Sequence, residues 1–161
     1  ILSLPLYKGY QLKFWKKIRI NLEYVNRVTN HYKKVWPTRK YVPFHGDLTL
    51  SNIIFLNKKK DIRIIDWETF RLNKCQWGLD ICYFFISLIA LPALARKNKS
   101  ILDEEKIVFK KLWDNFYNKK KFDYLNNPFE YIKKKNLLKS DNFINKLPNK
   151  TKKEIIKIIN Q

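Results

Sequence analysis

The sequence predicts an α+β chain, mostly helical, with one small β-hairpin near its middle. Three observations carry that expectation. Apolar residues recur at steps of three and four from Phe14 to Val35, two short β-branched runs flank a polar gap at 57–61, and Ile81 to Ala95 contain no charge. The first pattern has the period of a helix with one buried stripe, the second that of a hairpin, and the third that of a helix buried all round.

Pro5 and Gly9 mark residues 1–11 as loop or linker. The stripe Phe14, Ile18, Leu22, Val25, Val28, Tyr32 and Val35 then describes an amphipathic helix that Pro37 ends, with His31 beside the stripe as an ordinary surface or half-buried histidine. Tyr41–Phe44 is extended. Ile53–Leu56 and Ile62–Ile65 form the hairpin. The apolar stretch 81–95 spans about 22 Å as a helix, short of a hydrocarbon core of about 30 Å, so it reads as a buried central helix. Beyond residue 96 the pattern is helical and basic. Asp103-Glu104-Glu105 opens a helix carrying Val108, Phe109, Leu112, Trp113 and Phe116, and Thr151 and Glu154 have capping-box spacing before a final isoleucine-rich helix. The Lys- and Asn-rich stretch 118–150 is expected to be loosely ordered. Organisation follows as three parts: 1–40 (linker and long helix), 41–95 (loop, hairpin and buried helix) and 96–161 (basic helical subdomain).

Composition excludes several classes. The 161 residues suit one compact domain, and three glycines cannot build a glycine-rich phosphate cradle. Cys75 and Cys82 match no metal spacing and no disulfide framework, which suggests a reducing, cytoplasmic compartment. The net charge of +20 is uneven: residues 1–44 hold ten basic and one acidic side chain, 45–95 six and five, and 96–161 eighteen and eight. The middle is nearly neutral. No run interleaves basic and aromatic residues as an RNA-binding sheet does, so the excess reads as solvated surface, nucleic acid is not an expected partner, and no membrane span is present.

One block carries chemistry: His45-Gly46-Asp47-Leu48-Thr49-Leu50-Ser51-Asn52, then the hairpin, then Ile65-Asp66-Trp67-Glu68. Taken singly, Asp47 and Asn52 would be turn and cap residues. Hairpin strands lie about 4.8 Å apart, so the end of the second strand returns beside the start of the first and Asp66 converges on Asn52, with Asp47 on the adjoining loop. Two oxygen ligands beside a further carboxylate suit Mg²⁺ and phosphoryl transfer. If the chain stays extended past Asp66, Glu68 points to the same side and could reach a second metal. Trp67 and Trp77 are expected to be core aromatics.

These motifs, HGDLTLSN followed by IIDWE, resemble the aminoglycoside phosphotransferase and choline kinase superfamily, small-molecule kinases related to protein kinases. Trp77-Gly78-Leu79-Asp80 resembles that family's later Asp at a helix start, and the likeness covers about residues 41–90. The resemblance implies the C-terminal lobe of a protein-kinase-like fold, in a phosphotransferase using ATP and Mg²⁺ on a hydroxyl of a small molecule: an amino alcohol, sugar, aminoglycoside or surface-polysaccharide precursor. It implies Asp47 as the catalytic carboxylate, Asn52 and Asp66 as Mg²⁺ ligands, and His45 as a structural histidine. Asp80 would be acceptor for the loop's amides, with Ile54 and Ile65 the apolar floor under adenine. Such kinases also need a preceding lobe with a lysine–glutamate pair. Only 44 residues precede His45 and they read as loop plus helix, so that lobe of the same polypeptide is expected to lie outside this chain, and the fragment alone to be inactive. The alternatives are an inactive kinase-like scaffold, or a basic module binding nucleic acid or anionic membrane.

Overall fold

The computed structural model describes residues 22–56 and 61–161. It is α+β and mostly helical, with two antiparallel strand pairs. The chain divides into two compact units, with the boundary between Phe84 and Phe85.

In the first unit, helix α1 (Leu22–Val35) buries Val25, Val28, Thr29 and Tyr32. These positions, at i, i+3, i+4 and i+7, form one face of a helix. Leu22 and Val35, expected on that stripe, are 41% and 47% exposed because they lie at the two ends of the helix. The part of the expected helix before Leu22 lies outside the described residues. His31 is half-buried.

Strand β2 (Ile53–Leu56) pairs antiparallel with β3 (Asp61–Ile64), with Ile53 opposite Ile64 and Phe55 opposite Ile62. Alternation puts Ile53, Phe55, Ile62 and Ile64 on one face. Helix α1 covers that face. The Tyr24 ring lies 4.6 Å from that of Phe55, the Arg27 guanidinium sits 5.2 Å over the Phe55 ring, and Arg27 donates to the Leu56 carbonyl at 3.0 Å.

A second pair joins β1 (Tyr41–Phe44) to β4 (Arg71–Gln76), with Val42 opposite Cys75 and Phe44 opposite Arg71. The register shifts between those two pairs, at Pro43, which has no N–H to give the ladder. Strand β4 is too polar to read as a strand from RLNKCQ alone. Its pairing matters because β1 runs straight into His45 and β4 ends four residues before Asp80.

Helix α2 (Leu79–Ala95) begins in the first unit, and every residue from Leu79 to Ala90 is buried, which explains why it shows no apolar stripe. Among the described residues no helix is long and apolar enough to cross a membrane.

The second unit continues α2 from Phe85 and adds α3 (Asp103–Tyr117), α4 (Pro128–Lys134), α5 (Phe143–Lys146) and α6 (Asn149–Ile159). An aromatic chain organises its core. Phe85 meets Phe116 and Tyr117 edge-on at 5.8 and 6.5 Å, Tyr117 meets Trp113 and Tyr124 at 4.6 and 6.1 Å, and Tyr124 meets Tyr131 at 5.8 Å.

Two expectations fail here. The 118–150 stretch is ordered: it buries Tyr124, Phe129, Ile132, Leu137, Ile144 and Leu147. Two of its asparagines act as N-caps: Asn127 accepts from Glu130 N at 3.2 Å and Asn142 from Ile144 N at 3.1 Å. Thr151 and Glu154 form no capping box, because α6 starts at Asn149. Thr151 is instead buried within the first turn, donating to the Lys99 carbonyl at 2.9 Å, and Glu154 pairs with Lys106. The capping carboxylate in this unit is Glu105, which accepts from Leu102 N at 2.9 Å and forms a bidentate pair with Arg96.

Candidate active site

The site lies within the first unit and is built on backbone pairing. Because β1 and β4 are paired, His45 and the start of α2 come together although 35 positions separate His45 from Asp80. Asp80 is buried in the first turn of α2, and its two oxygens accept from His45 N at 2.9 Å and Gly46 N at 3.2 Å. Burial pushes its carboxyl up to about 7, against the pull of those two amide donors. Close by, the buried Tyr32 hydroxyl accepts from Gly78 N at 2.9 Å. Burial, then the Asp80 charge, raise its pKa.

Gly46 sits at φ +86°, and a Cβ there would meet the Thr69 Cβ, Oγ1 and carbonyl oxygen at 3.1 Å. Thr69 also fixes the loop from that side, donating to the His45 carbonyl at 2.7 Å. Glycine is therefore required by both conformation and space.

His45 has one tautomer available. Its Nδ1 receives the Asp47 amide N–H at 3.2 Å and so carries no proton, while Nε2 lies 3.0 Å from the Ile65 carbonyl and must donate. The ring is thereby neutral, tying the loop to the residue before Asp66. Burial lowers its pKa. The Ile65 carbonyl and the nearby Asp47 and Asp66 carboxylates pull the other way. Trp67 packs edge-on to it at 4.6 Å and donates to the Ile64 carbonyl. Trp67 is 44% exposed, so it is no core aromatic, because the short 3₁₀ turn Trp67–Thr69 lays it on the surface. Trp77 is buried in the core against Tyr32.

Asp47 is half-exposed between buried neighbours. Both its oxygens are held: Oδ1 accepts from the Tyr83 hydroxyl at 2.7 Å and Oδ2 from Asn52 Nδ2 at 3.0 Å. Asn52 Nδ2 also donates to the Asp47 carbonyl at 2.8 Å. With its nitrogen engaged, Asn52 keeps Oδ1 as its acceptor for other groups. Ile65 N donates to the Asn52 carbonyl at 2.9 Å, extending the β2–β3 ladder by one rung, so that Asp66 follows directly on the residue bonded to Asn52. Asp66 is exposed and left-handed (φ 62°, ψ 65°). The chain therefore does not stay extended past Asp66, and the same-side placement expected of Glu68 is not formed. Glu68 lies exposed on the 3₁₀ turn.

Ile54 and Ile65 share the hairpin face opposite the one covered by α1, by the alternation of the paired strands, and Ile65 is 40% exposed there. No cluster of three or more His, Cys, Asp or Glu side chains suited to a metal occurs among the described residues. The oxygen set at hand is Asn52 Oδ1 and the Asp66 carboxylate, a pair of hard donors that fits a cation taking one or two protein oxygens together with phosphates and water.

Tyr83 is the residue that sequence reasoning missed. It lies three positions after Asp80 on α2, hence on the same helical face, and that spacing was the available signal.

This lobe, with its loop anchored to a buried aspartate at a helix start, defines the class: the C-terminal lobe of a protein-kinase-like fold. A model of the ecdysteroid kinase-like family matches residues 2–104, well over half of the 161 residues, and the chain belongs to that family, one of protein-kinase-like small-molecule kinases. The choline kinase side of the superfamily is not singled out by this match. No curated protein and no solved structure matches the chain.

Proposed function

We propose that the complete polypeptide transfers the γ-phosphate of ATP to a hydroxyl of a small molecule in the cytoplasm, with Asp47 as the catalytic carboxylate. The observation that carries this reading is the clamp on Asp47. A carboxylate offers about four lone-pair positions. Tyr83 and Asn52 take one on each oxygen. The remaining positions are left, in a fixed orientation, to accept the proton of an acceptor hydroxyl.

Asn52 Oδ1 and Asp66 would hold Mg²⁺, which when bound would neutralise and bridge phosphate oxygens. His45 and Asp80 position the loop rather than touch the reacting atoms. Ile54 and Ile65 offer the open apolar face of the hairpin to a flat base. The nucleotide-covering lobe, with its lysine–glutamate pair, would come from the remainder of the polypeptide. The family's name adds a hydroxylated steroid to the acceptors suggested by the motifs: amino alcohol, sugar, aminoglycoside and polysaccharide precursor.

The test is ADP release by the complete polypeptide with ATP, Mg²⁺ and a panel of those alcohols. Asp47→Ala should reduce turnover by about three orders of magnitude or more while magnesium-dependent nucleotide binding persists. Wild-type-like turnover in that variant would remove Asp47 from the role.

A further inference from the structure

We infer that the groove between α3 and α6 docks an acidic, amphipathic helical segment of another protein. The groove has a volume of about 910 Å³ and lies wholly within the second unit, in helices that the family match barely reaches. Each helix contributes one outward face, with Lys106, Ile107, Lys110, Lys111 and Asp114 from α3 and Lys150, Lys153, Glu154 and Lys157 from α6. Six lysines thus face two carboxylates. Both carboxylates are already engaged: Glu154 by Lys106 at 2.8 Å, a bridge that ties α6 to α3, and Asp114 by Lys110 at 2.5 Å. Lys111, Lys150, Lys153 and Lys157 are exposed and make no ion pair among the described residues.

Positive rims alone would suit any polyanion. The apolar part of the lining decides between them. Ile107 stands 71% exposed amid the lysines, the most exposed isoleucine among the described residues. The lining holds no aromatic side chain on which a base could stack and no arginine to fork a phosphate. An acidic helix satisfies both features, setting an apolar stripe on Ile107 and flanking carboxylates on the lysines, the helix-in-groove mode. The eleven residues of α6 give a groove about 16 Å long, enough for about three turns of a docked helix. A flat lipid surface does not follow a concave groove.

The experiment uses the whole chain and a fluorescein-labelled peptide of about 14 residues, with leucines at i, i+3, i+4 and i+7 and glutamates on the flanks. Fluorescence anisotropy should show saturable binding, at least about tenfold tighter than for a scrambled peptide of the same composition, because only the ordered sequence presents one apolar stripe. Lys153→Glu with Lys157→Glu should weaken it at least about tenfold, and Ile107→Ser about fivefold. The double exchange Lys134→Glu and Lys146→Glu, away from the groove, should change it less than about twofold. Circular dichroism checks that each variant is folded. Equal binding of the scrambled peptide, indifference to the groove lysines or to Ile107, or tighter binding of a single-stranded oligonucleotide or of phosphatidylserine vesicles would overturn the inference. None of these readouts depends on phosphotransfer.

Discussion

The hydroxyl of Tyr83, buried on helix α2, donates at 2.7 Å to Oδ1 of Asp47, 36 positions earlier in the chain. This bond makes the orientation of the Asp47 carboxylate a property of the helix as well as of its own loop. Asn52 fixes only the other oxygen. Tyr83→Phe preserves the ring and removes one donor. In the complete polypeptide, if Asp47 has the proposed role, turnover should fall about tenfold with KM for ATP little changed, while stability drops by about 1 kcal/mol. A matching rise in KM would mean that Tyr83 serves nucleotide binding instead.

Gly46 has the opposite kind of constraint, one of space. Gly46→Ala places a Cβ 3.1 Å from three Thr69 atoms at a φ of +86°. We expect a loss of about 1–3 kcal/mol, read as a lowered urea midpoint at unchanged slope. A neutral result would show that the Thr69 turn gives way freely.

Asp80 and the His45 it anchors titrate in opposite senses. Asp80, about 7 when folded against 3.8 otherwise, retains a proton that the unfolded chain has released. Its contribution is full below about pH 3.8 and is lost as pH rises through about 7. His45 is lowered below 6.5, so its contribution is full above that pH and is lost as pH falls below it. Chemical denaturation across pH 4–7 should therefore show the stability difference between wild type and Asp80→Asn shrinking as pH rises. A pH-independent difference would contradict the burial effect on Asp80.

In the second unit, the Arg96–Glu105 pair is only 15% and 5% exposed at its side chains. Arg96→Ala leaves a buried carboxylate with the Leu102 amide donating to it at 2.9 Å, and should cost about 3 kcal/mol. Lys110→Ala, which breaks a pair whose aspartate is 55% exposed, should cost under about 0.5 kcal/mol. Thermal denaturation of the two variants compares them directly, and equal losses would refute the distinction.

The helices and the hairpin were legible because their signals are local. The stripe Val25, Val28 and Tyr32 follows the period of a helix, and the pairing of Ile53 with Ile64 follows from two β-branched runs joined by a short polar gap. His45, Asp47, Asn52 and Asp66 stand out for the same reason, as members of short sequence motifs. Between residues 118 and 150, composition misled: the Lys- and Asn-rich stretch that suggested loose order holds two short helices, capped by Asn127 and Asn142.

The sequence by itself determined the α1 stripe, the β2–β3 hairpin, the acidic and amide residues of the loop, and the charge-free helix, since each depends on neighbours within a few residues. Only the tertiary structure decided that the polar segment Arg71–Gln76 is a strand, that Asp80 closes on the amides of His45 and Gly46, and that Tyr83 grips Asp47. Those relationships join residues about 30 or more positions apart, and no local periodicity encodes a hydrogen bond that exists only after β1 and β4 have paired and a buried helix has been set in place.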